Sequence, residues 1–139
     1  GLLHDIGWIE GKKNHHKTSL RIILTTTILR MDARERAIIG SIARYHRKAL
    51  PSAEQDHFQS LDPQARKTVE ALASLLRLAD GLDSSHLSMV EDLSVEVKKK
   101  QVVLHLATRG KAKVEKLSAE ERGDLFELVY GRRVKVVNG

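Results

Sequence analysis

The length, composition and charge of the chain restrict its fold and chemistry. Its 139 residues suffice for one domain with a small appendage, and 41% of them are hydrophobic. No stretch approaches the roughly 18–20 apolar residues of a membrane span, and no basic region precedes an apolar stretch as in a signal peptide. Because there is no cysteine, disulfides and thiolate metal sites are excluded, and we expect a cytoplasmic protein with a net charge of +6.

Helical periodicity dominates the first two-thirds of the chain. Apolar residues recur at helical spacing in residues 18–29 and 33–49, and the second run stops before Pro51. Asp62 and Pro63 form a helix start signal, with a carboxylate cap before a proline at the first helical position. This third pattern predicts a helix that ends near residue 81.

The pattern changes after residue 92. Apolar and polar residues alternate in 93–97, a polar turn follows, and 102–106 reads as the returning strand. A capping box at Ser118 and Glu121 predicts a short helix that ends at Gly131, followed by a short strand at 134–136. We therefore predict a mainly α chain, with a helical domain at residues 1–92 and a small α/β segment (hairpin, helix, short strand) at 93–139.

Most of the net charge lies in the predicted α/β segment. Residues 93–139 contain 11 Lys/Arg and six Asp/Glu, a balance of +5, whereas residues 1–92 contain 13 and 12. Such a segment attracts anionic partners by electrostatic steering. A solvated basic surface that only favours solubility is the alternative.

Each predicted helix places one ligand-type side chain on its apolar face. His16, His46 and Asp80 occupy these positions by helical spacing, and His4-Asp5 lies in an apolar stretch ended by glycine. Buried imidazoles and carboxylates need partners, and a divalent metal would satisfy them together. Each could instead be a core residue satisfied by backbone hydrogen bonds. His15 lies about 100° from His16 on a helix, so the pattern favours His16 as the ligand and leaves His15 as an alternative.

Three cations surround the candidate ligand His46. Arg44, Arg47 and Lys48 could bind phosphate, because guanidinium groups match phosphate oxygens. They could equally be the basic residues that the macrodipole favours at a helix C-terminus. His57, His86 and His105 show no pattern that suggests a site.

Several of these segments together resemble a known family. Leu-Leu-His-Asp-Ile-Gly, His-His-Lys-x-Ser, Ala-Arg-Tyr-His-Arg-Lys-Ala-Leu-Pro and Leu-Arg-Leu-Ala-Asp-Gly-Leu-Asp resemble the C-terminal domain of the exopolyphosphatase/guanosine pentaphosphate phosphohydrolase (Ppx/GppA) family. More broadly, they resemble the HD superfamily of metal-dependent phosphohydrolases. The match is dense over residues 1–86 and looser afterwards.

The resemblance implies a fold and a ligand set. It implies an HD-domain-like helical body in which His4, Asp5, His46 and Asp80 correspond to metal ligands, with His16 as a further one, for Mn, Mg, Fe or Zn. HD sites usually have another histidine on an earlier helix, and we expect that helix to be missing from this chain. In the family, hydrolysis takes place in upstream actin-like domains, and no Gly-rich phosphate loop of that kind occurs here.

Three functions follow from these observations. The first is an accessory domain of an exopolyphosphatase-like hydrolase that binds polyphosphate or a phosphorylated nucleotide and contributes to assembly, by self-association or with an actin-like catalytic domain. The second is a metal-dependent phosphohydrolase with its own His/Asp site. The third is a basic nucleic-acid-binding module, for which the 4% aromatic content and the lack of a recognition motif offer little support.

Overall fold

The computed structural model describes residues 1–138. The chain divides into two compact units, the first from Gly1 to Ala73 and the second from Ser74 onward. The domain boundary predicted between residues 92 and 93 stays a prediction. No helix within residues 1–138 is both long and apolar enough to cross a membrane.

The first unit is helical. It contains a 3₁₀ turn at Ile6–Glu10 and the helices α1 (His15–Thr25), α2 (Ala33–Tyr45) and α3 (Asp56–Gln59), and α4 (Pro63–Leu82) begins in it and continues into the second unit. Apolar side chains fill its interior: Ile23, Ala43, Tyr45, Phe58, Leu61, Ala65 and Val69.

The helix starts follow from capping residues. Asp32 and Glu35 form a reciprocal capping box at the start of α2, where Asp32 Oδ1 accepts from the Glu35 amide at 2.8 Å. At α4, Asp62 Oδ1 accepts from the amide of Ala65 at 2.8 Å. The cap predicted at Asp62 is therefore confirmed.

The second unit contains a three-stranded sheet with two helices. Strands β1 (Val90–Val97) and β2 (Gln101–Thr108) form an antiparallel hairpin, and β3 (Arg133–Asn138) pairs in parallel with β2. Two helices, α5 (Lys113–Glu121) and α6 (Asp124–Tyr130), connect β2 to β3. The sheet order is β1-β2-β3, so β2 is central.

The prediction of a mainly α chain with a small α/β appendage is wrong. Half of the chain is helical, with six helices in residues 1–138, and the sheet makes the fold mixed. The physical reason is that the sheet builds a core of its own. Its central members are Val102, Leu104, Leu106, Val136 and, from α5, Ala119.

The helical part of the second unit also differs from the prediction. One helix beginning at Ser118 was expected, but Ser118 lies inside α5 and a second helix follows Gly123. Ala112 precedes α5 without a side-chain cap, so a capping signal could not reveal that helix start. The predicted end at Gly131 is confirmed, because Gly131 caps α6 in the left-handed conformation with φ of 63°.

Candidate functional site

The turn that carries His4 and Asp5 packs against the first turn of α1. A Cβ atom on Gly7 would lie 2.1 Å from the carbonyl oxygen of His15, so only glycine permits this approach. Ser19 Oγ accepts from the amide of Gly7 at 2.9 Å and donates to the carbonyl oxygen of His4 at 2.7 Å. Ser19 thereby holds the His-Asp turn at α1, a role that the His-His-Lys-x-Ser motif alone does not reveal.

Asp5, His15 and His46, which we name the Asp5 cluster, bring three ligand atoms together. Asp5 Oδ1 lies 3.1 Å from His15 Nε2 and 3.4 Å from His46 Nε2. The two imidazole nitrogens are 3.1 Å apart. Both imidazoles are buried, and Oδ1 of Asp5 is a buried atom without a well-directed hydrogen-bond donor in the described part of the chain.

Backbone carbonyls fix the tautomers of the two histidines. Nδ1 of His15 donates to the carbonyl of Lys12 at 2.9 Å, and Nδ1 of His46 donates to that of Ala43 at 2.5 Å. A neutral ring with hydrogen on Nδ1 carries its lone pair on Nε2. If both rings are neutral, the lone pairs of the two Nε2 atoms and of Asp5 Oδ1 converge on one another. The Asp5 cluster therefore needs either a proton on one ring or a bound cation.

His4 lies on the other side of the Asp5 carboxylate. Its Nε2 is 3.3 Å from Asp5 Oδ2, and its Nδ1 donates to the carbonyl of Gly1 at 2.5 Å. The ring of His4 meets the ring of His46 edge-on, with centroids 5.0 Å apart. The structure therefore places three of the predicted ligands, His4, Asp5 and His46, in one neighbourhood.

His15, rather than the favoured His16, is the α1 histidine that faces Asp5. His16 is also buried, and its pKa is lowered to about 4, first by burial and then by the charges of Arg44, His15, His46 and Lys48. Both histidines lie in the first turn of α1. The apolar residues that define the buried face of α1 come later in the helix, so their spacing does not determine which histidine contacts the turn that carries Asp5. Helical spacing favours His16, but it carries no information on this local approach.

Asp80 belongs to the second unit, where it has a cationic partner. Its carboxylate is buried and forms an ion pair with Arg122 Nη1, while Nη2 of Arg122 donates to Ser84 Oγ at 3.1 Å. A guanidinium therefore compensates the buried charge that motivated the ligand assignment. The metal-ligand role of Asp80 stays a prediction.

Arg44 is the centre of a second group of polar side chains in the first unit. Its Nη1 is a buried atom without a hydrogen-bond partner, and no carboxylate in residues 1–138 forms an ion pair with it. Burial lowers the pKa of Arg44. The charge of Arg44 contributes to lowering the pKa of both His16 and His57, so these side chains lie within its electrostatic reach.

We name Arg44, His16, Lys48 and His57 the Arg44 cluster. Lys48 is exposed beyond the end of α2, with φ of 62°, and its charge also acts on His16. Burial is the main cause of the lowered pKa of His57, whose Nε2 is buried without a hydrogen-bond partner. No sequence pattern points to His57, because it lies in the four-residue helix α3, which is too short to show helical periodicity. Arg47, the third predicted cation, is half-buried.

Comparisons with known proteins identify the family. The family described as Ppx/GppA phosphatase, domain III, matches residues 1–128, which include the Asp5 cluster, the Arg44 cluster, all of α5 and most of α6. A comparison with curated proteins gave no significant match. The match covers most of the chain and agrees with the resemblance seen in the sequence motifs. The chain therefore belongs to the Ppx/GppA phosphatase family, in which it corresponds to domain III.

Proposed function

We propose that this domain binds polyphosphate for a Ppx/GppA-type phosphatase, through the Arg44 cluster. The observation that carries the proposal is the buried Nη1 of Arg44, which has neither a hydrogen-bond acceptor nor a carboxylate partner in the described residues. Burying an unsatisfied polar group costs free energy, and a phosphate oxygen would remove that cost. Guanidinium groups bind phosphate oxygens through strong charge-assisted hydrogen bonds.

The surroundings of Arg44 favour an anion. Burial is the main cause of the lowered pKa of His16, and the charges of Arg44 and Lys48 lower it further, as expected in a region of positive potential. A bound phosphate would oppose the effect of these charges and so favour protonation of His16 and His57. The Arg44 cluster thus supplies two cationic side chains, Arg44 and Lys48, and two imidazoles that can gain a proton when an anion binds.

Polyphosphate fits the cluster better than nucleic acid does. Binding of single-stranded nucleic acid draws on aromatic side chains that stack on bases, whereas only 4% of this chain is aromatic. Hydrolysis would take place in actin-like domains of the family, with this domain contributing binding and assembly. The cytoplasmic location expected from the cysteine-free sequence stays a prediction.

Calorimetric titration with linear polyphosphate, in the presence of a chelator, tests the proposal. We expect binding without a divalent metal and a steep decrease in affinity with salt. A homopolymeric RNA of equal phosphate content serves as competitor and should displace polyphosphate poorly. Equal competition by RNA would favour the nucleic-acid function, and no binding of polyphosphate at low salt would contradict the proposal.

The Asp5 cluster favours a second candidate function, that of a metal-dependent phosphohydrolase. One carboxylate and two imidazoles suit manganese, iron or zinc, and the convergence of their lone pairs is relieved by a cation. Asp5, His15 and His46 would hold the metal, which supplies an activated water or polarises a phosphoryl oxygen when bound. The carbonyl partners of His15 and His46 already orient both rings for this task.

Elemental analysis after dialysis against a mixture of divalent metals tests this second candidate. We expect about one equivalent per chain in the wild type and its loss in Asp5→Asn, which keeps the shape of the side chain. His105→Gln, a change at a histidine of the sheet outside the cluster, serves as the matched control. Equal metal content in wild type and Asp5→Asn would remove the metal assignment while leaving the polyphosphate proposal intact.

A further inference from the structure

Strand β1 is an edge strand with an exposed apolar face. Leu93, Val95 and Val97 are 42%, 54% and 65% exposed, and β1 pairs with β2 on one side only. Their partners in β2, Leu106, Leu104 and Val102, lie on the same face and are buried. The sheet is therefore covered along its centre and open along β1.

The backbone of the same three residues points away from β2. Lys98 N donates to Gln101 O at 2.8 Å, which makes Lys98 and Gln101 a hydrogen-bonded pair of the hairpin. Hydrogen-bonded and non-hydrogen-bonded pairs alternate along an antiparallel ladder, so the N–H and C=O groups of Leu93, Val95 and Val97 face outward. In agreement, the amide of Leu93 donates to the Asp92 carboxylate at 2.8 Å rather than to β2.

We propose that β1 pairs with β1 of a second copy of this chain, antiparallel and centred on Val95. In this register Val95 faces Val95 of the second copy, and Leu93 faces Val97. Leu93, Val95 and Val97 are the residues whose backbone groups point outward and can form the new hydrogen bonds. Their apolar side chains, three from each copy, would then lie on one face of the joined sheet. An isologous pairing of this kind uses both edges and closes as a dimer.

Charge decides between this register and its neighbours. When Val95 faces Val95, Asp92 faces Lys98 of the second copy, and the symmetric pair repeats this contact. Centring the pairing on Ser94 places Asp92 opposite Glu96, and centring it on Glu96 places two glutamates opposite each other. Like charges directly opposite each other destabilise a sheet and opposite charges stabilise it.

The other edge of the sheet lacks this complementarity. The exposed side chains of β3 include Arg133 and Lys135, and cations on an edge strand oppose pairing with another strand. On β1, the existing ion pair between Glu96 and Lys98, at 3.1 Å, involves exposed side chains and can exchange for contacts with a second copy. The two edges of the sheet therefore differ, and β1 is the one that fits a second copy.

Light scattering during size-exclusion chromatography over a range of concentrations tests the pairing. The wild type should be dimeric, and Val95→Lys, which places two cations at the dyad, should weaken the dimer at least tenfold. Asp92→Lys and Lys98→Asp should each weaken it, whereas the double variant should restore it. Circular dichroism should show all four variants folded, because the substituted side chains are exposed. A monomeric wild type, or a dimer that ignores these changes, would overturn the proposal.

Cross-linking tests the register separately. The chain has no cysteine, so Val95→Cys introduces one thiol, which should oxidise rapidly to a disulfide between copies. In the control Ser94→Cys, the thiols are offset by two residues and should cross-link more slowly. Faster cross-linking of Ser94→Cys would contradict the register centred on Val95.

Discussion

Gly7 lies so close to the first turn of α1 that a Cβ atom on it would approach the carbonyl oxygen of His15 to 2.1 Å. This contact holds the turn that carries Asp5 beside the histidine that Asp5 faces. The packing cannot be relieved by a side-chain rotation, because the opposing atom belongs to the backbone.

Gly7→Ala should therefore destabilise the first unit. We expect a loss of about 3 kcal/mol in the free energy of unfolding, the upper range for overpacking, measured by urea denaturation. Gly1→Ala is the matched control, since nothing lies within 4 Å of its added Cβ. Equal stability of the two variants would show that the turn can move away from α1.

The capping box of α2 should contribute to stability in its own right. Asp32→Ala removes the acceptor for the amide of Glu35 and should cost about 1 kcal/mol. Glu54→Ala, at an exposed loop residue whose carboxylate makes no ion pair in residues 1–138, should change the free energy of unfolding by less than about 0.5 kcal/mol. A loss of unfolding free energy for Asp32→Ala no larger than that of the control would show that the cap does not stabilise the protein.

Stability should depend on the protonation of His57. Burial and the charge of Arg44 lower the pKa of His57 below 6.5, so the unfolded chain binds a proton there before the folded chain does. The free energy of unfolding should then decrease as the pH falls from about 6.5 through the lowered pKa. His57→Gln should reduce this slope. Urea denaturation at several pH values between about 7.5 and 5 measures it, and an unchanged slope in His57→Gln would contradict the prediction.

Metal-induced stabilisation should distinguish the two neighbouring histidines of α1. A metal at a hundred times its dissociation constant stabilises a folded protein by about 2.7 kcal/mol. We expect Mn²⁺ or Zn²⁺ to raise the melting temperature of the wild type and of His16→Gln, but not of His15→Gln, because His15 Nε2 faces Asp5. The reverse pattern would return the ligand role to His16.

The sequence predicts local features of this fold better than long-range ones. The cap at Asp62 and the end of α6 at Gly131 depend on neighbouring residues, and both are confirmed. The parallel pairing of β3 with β2 depends on the path of the chain through α5 and α6, which no local pattern contains. This pairing enlarges the sheet beyond the small appendage that alternation alone suggested.

The sequence predicts the residue types of the candidate site better than it predicts their arrangement in space. His4, Asp5 and His46 were identified because ligand-type residues stood on apolar faces, and the structure places them near one another. Helical spacing favours His16, whereas the structure places His15 beside Asp5. Which of the two faces Asp5 depends on how the turn before α1 approaches the helix, and the ligand role of either stays a prediction. Likewise, the role proposed for Arg44 depends on its buried Nη1 having no hydrogen-bond acceptor in the described residues, which is a property of the fold.

The affinity of polyphosphate for Arg44→Gln, compared with Arg34→Gln, tests the central claim most directly. Both residues lie on α2 and both changes remove one charge, but Arg34 is exposed and already paired with Asp62 at 2.9 Å. We predict that Arg44→Gln weakens binding about tenfold or more, as the loss of a hydrogen bond to a charged group implies, while Arg34→Gln changes it less than about threefold. Equal losses in the two variants would show that net charge alone attracts the polyanion, and would contradict a binding site at Arg44.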